Sequence, residues 1–166
     1  IPSIVYGLFG MIFFVGVCNF GNSLLAGALT VAIMVLPTVM RTTEEALKAI
    51  PDSYREGSYG LGAGKLRTVF AVVLPSAVPG ILAGVILSIG RIVGETAALI
   101  YTAGTVAALP DGVLSSGRTL AVHMYVLASE GLYMKQAYAT AVILVVIVVA
   151  INALSSRLAK QMMKGK

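Results

Sequence analysis

The sequence predicts an all-α fold, a polytopic bundle of membrane helices, and three observations carry that prediction. Hydrophobic residues make up 58% of the chain, charged residues only 11%, and the mean hydropathy is +0.93. The charges are bunched within 41–67 and after residue 156. Between those clusters lie apolar runs of the length a bilayer demands, about 20 residues for a helical crossing. A single transmembrane domain over 1–166 is expected, with spans at 1–17, 24–40, 76–103 and 137–154. The net charge of +5 calls for no nucleic-acid partner. Lys and Arg gather beside the apolar runs, as retention on the cytoplasmic side requires.

The first run, Ile1 to Val17, is closed by Cys18-Asn19-Phe20-Gly21-Asn22-Ser23, whose Asn, Gly and Ser mark a turn. The chain opens on Ile1 inside an apolar run, without the basic start and small-residue cleavage site of a signal peptide, so an N-terminally incomplete chain is expected. The second run ends at Arg41, with Pro37 near its end. Residues 41–67 form a polar centre whose five basic residues, Arg41, Lys48, Arg55, Lys65 and Arg67, predict a cytoplasmic loop. Two short helices are legible there. Thr42 with Glu45 fits a capping box, and that helix must stop before Pro51; Ser53 with Glu56 fits a second box, and that helix stops at the glycines 60–64. The stretch Val69 to Leu109 is too long for one straight crossing, and Pro75 and Pro79 interrupt it. The expectation is an approach segment at 68–74 and a span from 76. Residues 104–136 are mixed and read as external, with a short helix around 119–129. The run Ala137–Leu154 returns to a basic tail, 157–166. Both basic clusters then share one face of the membrane.

Single residues carry little chemistry. Cys18 stands alone, which excludes an internal disulfide, and His123 has no Cys or His companion for a metal site. Gly60-Leu61-Gly62-Ala63-Gly64-Lys65-Leu66 looks like a phosphate-cradling loop, but Tyr59 stands where its first Gly should be and Leu66 where its Ser/Thr should be. The glycines therefore need another role, and ending a helix sharply is the first.

A second role follows from Glu56-Gly57-Ser58, then Gly62 after three residues, then Val72-Val73-Leu74-Pro75 after nine. This spacing resembles the cytoplasmic loop of ABC importer permeases: Glu-Ala-Ala, three residues, Gly, nine residues, Ile-x-Leu-Pro. Gly57 and Ser58 replace the two alanines and Val72 the isoleucine. The resemblance implies an importer-permease (MetI-like) core. It also implies that Glu56, Gly57, Ser58, Gly62 and Pro75 belong to a coupling loop docking a separate ATPase. Cofactors would then be none in this chain, with ATP and magnesium held by that partner. The stretch Arg91-Ile92-Val93-Gly94-Glu95-Thr96-Ala97-Ala98-Leu99-Ile100-Tyr101-Thr102-Ala103-Gly104-Thr105, with residues 41–63, is similar to the A-type permease subunit of phosphate importers. That implies, as partners, a second homologous permease subunit, two ATPase copies, an external phosphate-binding protein and the lipid bilayer. The location implied is a bacterial or archaeal plasma membrane.

Arg91 and Glu95 lie inside the third span. Intramembrane charges are costly and should face protein or water. Spaced by four, they are expected on one helix face with Gly80, Gly84, Ser88, Ala98 and Thr102. Ser88, Arg91, Glu95 and Thr102 are candidates for the lining of a translocation path, with the Arg91 fork meeting an oxyanion and Glu95 holding Arg91 when the path is empty. A structural ion pair is the alternative. Gly80-xxx-Gly84 and Gly90-xxx-Gly94 would allow close helix approach. Two other readings stay open: a permease for molybdate or sulfate, and a structural membrane subunit that does not transport. An enzyme is disfavoured, because no paired acids, metal cluster or nucleophile–base set is visible.

Overall fold

A computed structural model of the chain describes residues 1–164. Gly165 and Lys166, the end of the expected basic tail, lie outside the described residues. The described residues contain helices and no strand, in the order α1 (Ser3–Gly10), α2 (Leu24–Lys48), α3 (Asp52–Gly60), α4 (Lys65–Thr68), α5 (Leu74–Val93), α6 (Ala97–Thr102), α7 (Leu120–Glu130) and α8 (Met134–Lys164). Three helical stretches are long and apolar enough to cross a membrane: Leu24–Lys48, Lys65–Val93 and Met134–Arg157. The apolar stretch Ser3–Val17 is shorter than these. The chain divides into two compact units: Ile1–Leu36 with Gly90–Ile151, and Pro37–Ile89 with the residues from Asn152 onward.

In the first unit, α1 continues as a π-helical stretch, Met11–Val17. The expected turn follows, with Asn19 at φ 55° and Gly21 at φ 62°. Helix α2 begins at a cap the sequence reading passed over: the Ser23 hydroxyl accepts from the Ala26 N–H at 3.2 Å. The next amides find partners far along the chain. Ser23 N–H donates to Thr102 C=O, Leu24 N–H to Ser115 C=O and Leu25 N–H to Val113 C=O, at 2.9–3.0 Å. A helix start has four orphan amides to satisfy, and here the segment after α6 satisfies two of them. The core gathers Val31, Met34 and Val35 of α2 with Leu99, Ala103 and Val122. Helix α1 lies on α6 at close range: a Cβ added at Gly7 would stand 2.8 Å from Ala98 Cα. The expected short helix near 119–129 is α7, capped by Thr119 and ended by Gly131 at φ 70°.

In the second unit three expectations are corrected. First, α2 does not end near Arg41 but runs to Lys48, with Pro37 inside it. Pairs spaced by four hold its polar end in helical form, Arg41–Glu45 at 3.2 Å and Lys48–Glu44 at 2.6 Å. Thr42 is therefore no N-cap; its hydroxyl donates back to Thr38 C=O and Val39 C=O. Second, Ser53 caps nothing: α3 opens at Asp52 behind Pro51, without a side-chain cap. Proline suits that edge because its fixed φ and missing N–H cost nothing there. Third, residues 68–74 are not a separate approach segment. Helix α4, a π-helical stretch Val69–Val73 and α5 run on without a break. Pro75 falls in the first turn of α5, and Pro79 sits inside α5 without ending it. The Gly80-xxx-Gly84 face is a close-approach surface as expected: a Cβ at Gly80 would stand 2.8 Å from Ala46 Cβ, and one at Gly84 would collide with the Thr42 side chain. Gly94 has no such neighbour; the nearest atom is the Arg91 carbonyl oxygen at 3.9 Å.

Candidate functional site

The loop 52–68 is an exposed helix–turn–helix. Helix α3 ends in a left-handed turn at Gly62, φ 82°. Gly62 N–H donates to Tyr59 C=O at 2.9 Å and Ala63 N–H to Ser58 C=O at 3.1 Å. Those two bonds are the pair that closes a helix with glycine just past its last turn. The glycines thus end a helix, and α3 before them is no buried strand, so the phosphate-cradling reading falls away. Side chains would meet no atom within 4 Å at Gly57, Gly60, Gly62 or Gly64. Glu56 is exposed. Around these positions stand Tyr54, Tyr59, Leu61, Leu66 and Phe70, all exposed, Leu61 at 91%. The loop thus leaves several apolar side chains uncovered.

Two side chains, Ser58 and Arg55, fix the loop. The Ser58 and Thr68 hydroxyls lie 2.9 Å apart, joining α3 to a fully buried residue of α4. Serine in place of the second alanine of the pattern makes this bond possible. Arg55 reaches the other way, to Leu47 C=O at 2.9 Å and Ile50 C=O at 3.0 Å, and pairs with Asp52 at 2.9 Å. Sequence reading missed Arg55 as anything but a basic charge. Its signal was Pro51, which cannot donate to the carbonyl four residues back, Leu47.

The path candidates do not form one stripe. Helix α5 ends at Val93, and Gly94-Glu95-Thr96 is non-helical before α6. The expected Arg91–Glu95 pairing on a shared helix face is therefore corrected. Glu95 is 8% exposed, and its carboxylate accepts from the Ala98 N–H at 3.0 Å, capping α6. Arg91 is exposed, and it is absent from the three ion pairs found among the described residues. Ser88 and Thr102 are buried, and each hydroxyl donates to a carbonyl four residues back, Gly84 and Ala98. The structure thus brings Glu95 and Thr102 to the same short helix, one at its start and one at its end. A further group went unnoticed in the sequence: the Nε of Arg118, just before α7, is buried without a partner. Among the described residues no three His, Cys, Asp or Glu side chains cluster to hold a metal.

The family model for the binding-protein-dependent transport system inner membrane component matches residues 1–164. The chain belongs to that family. As an inner membrane component with several membrane-length helices it is a multi-pass membrane protein. It is 36% identical over 145 residues to the probable ABC transporter permease protein YqgI of Bacillus subtilis, covering 80% of this chain and 49% of that one. It is 43% identical over 104 residues to the phosphate transport system permease protein PstA 1 of Mycobacterium tuberculosis, covering 63% and 34%. It is 46% identical over 102 residues to the phosphate transport system permease protein PstA of Yersinia pestis, covering 61% and 34%. The chain spans between a third and a half of the length of these relatives. No solved structure matches it.

Proposed function

We propose that this chain is a permease subunit of an ATP-driven importer of inorganic phosphate, forming half of the translocation path. The single observation that carries the docking part is the exposed loop 52–68, rigidly turned at Gly62 and lined with apolar side chains. Glu56, Gly57, Ser58 and Gly62 would face the ATPase partner, which holds ATP and magnesium, and Pro75 would set the start of α5 behind them. The phosphate part is supported by the names of the relatives. It is supported as well by Arg91, an exposed guanidinium on a membrane-length helix. A charge at that depth must face protein or water, and the planar fork suits a tetrahedral oxyanion. Glu95 shapes the turn after Arg91 rather than neutralising it. The assembly would comprise a second permease subunit, two ATPase copies and an external phosphate-binding protein, in a bacterial or archaeal plasma membrane.

The test is uptake of labelled phosphate by the assembled transporter, with molybdate and sulfate as competitors, in wild type and Gly62→Val. Phosphate uptake resistant to both competitors is expected. In Gly62→Val the ATPase subunit should no longer co-purify, because a β-branched side chain at φ 82° costs about 1–2 kcal/mol and deforms the turn. Transport of molybdate or sulfate in preference to phosphate would overturn the substrate, and unchanged co-purification would overturn the docking site.

A further inference from the structure

The loop is clasped to α2 by a single side chain, and that clasp has a consequence for how movement leaves the docking surface. Leu47 and Ile50 bracket the end of α2. Their carbonyls are orphans: Pro51 has no N–H to give Leu47, and the Tyr54 N–H that would reach Ile50 donates to Pro51 C=O instead. Arg55, in the first half of α3, supplies both missing bonds through separate nitrogens, Nη2 to Leu47 and Nη1 to Ile50. A guanidinium at a helix C-terminus also meets the negative end of the helix dipole. Among the described residues, the other hydrogen bond that ties the loop down, Ser58 to Thr68, leads to α4 and not to α2.

We propose that Arg55 is the positioning residue that transmits displacement of the docking helix α3 to α2. The proposal rests on the docking reading above. Asp52, 85% exposed, pairs with the same guanidinium but anchors it only within α3, so it is dispensable for transmission. The Ser58–Thr68 bond does the corresponding job toward α4, between two neutral groups.

The experiment uses the assembled transporter in a Cys18→Ala background with an environment-sensitive fluorophore at Met40→Cys. Met40 lies on α2, is 62% exposed and sits outside the loop. ATP with vanadate is expected to change the fluorescence in wild type. In Arg55→Ala the ATPase subunit should remain bound and hydrolyse ATP, while the Met40 signal and the phosphate moved per ATP both fall about tenfold or more, as loss of a charged donor to two carbonyls implies. Asp52→Asn should stay within about twofold of wild type, since it loses only an exposed ion pair. Arg55→Lys should fall between, because a single ammonium nitrogen does not reproduce the planar fork that reaches the two carbonyls from separate nitrogens. A full Met40 signal in Arg55→Ala overturns the proposal. So does the absence of a signal in wild type, or loss of the ATPase from Arg55→Ala, which would make Arg55 a support of the docking surface only. If wild type gives the Met40 signal but moves no phosphate, the substrate reading fails and the role of Arg55 is still decided by the fluorescence.

Discussion

Glu95 and Arg91 are four residues apart and stand in different surroundings, the one buried at the start of α6 and the other exposed. A glutamate spaced by four from an arginine in an apolar run reads as a pair on one helix face, and only the ending of α5 at Val93 separates them. The signal was present but outweighed: Gly94 is a helix stop, and Glu95-Thr96 before an apolar run is a helix start. This changes what mutagenesis should give. If the two formed a buried pair, removing one would strand the other, and removing both would restore assembly. With Glu95 capping α6 and Arg91 exposed, the expected pattern is different. Arg91→Leu should assemble as well as wild type and lose phosphate uptake. Glu95→Leu should assemble poorly, since removing a cap costs about 0.5–2 kcal/mol. The double variant should be no better than Glu95→Leu. Thermal stability of the purified complex, read beside uptake, separates the cases, and rescue by the double variant would reinstate the pair.

At the scale of elements, the sequence located the helices better than it located their ends. Apolar runs, the turn at 18–23, the glycine stop after α3 and the helix near 119–129 were all readable, because each is written in residues next to one another. The extension of α2 to Lys48 was not, because Arg41 and the Thr42–Glu45 pattern imitate a boundary that the pairs Arg41–Glu45 and Glu44–Lys48 bridge. The start of α2 was hidden in part, because its first amides rely on carbonyls distant in the chain, and the cap of α6 because its side chain, Glu95, was assigned elsewhere. The helix and glycine turn of the loop 52–68 were legible in the residues themselves, whereas the Arg55 clasp needed the geometry. Glycine packing between elements gives a direct check. A Cβ at Gly10 would strike the side chains of Thr30 and Thr102, Cγ2 of the latter at 2.7 Å. Gly10→Val should therefore destabilise the chain in detergent by about 1–3 kcal/mol through overpacking, whereas Gly57→Ala, with open space around it, should leave stability unchanged or raise it.

For the whole molecule, sidedness is the property that organises everything else. Basic residues at 41–67 predict one face and the segment 104–136 the other. Gly60 and Gly112 both have open space for a side chain, so Gly60→Cys and Gly112→Cys in a Cys18→Ala background should fold normally. An impermeant thiol reagent should label them from opposite sides, and labelling from one side would refute the arrangement. The manner in which α2 begins adds a dimension of time. Its first backbone donors are held by Thr102, Val113 and Ser115, about 80 to 90 residues later in the chain, so at a synthesis rate of about 5–20 residues per second they wait roughly 4 to 18 s for their partners. During that interval the start of α2 must remain at the wet edge of the bilayer. The helix is thus provisional when it enters the membrane and is completed only when the chain has returned to close over it.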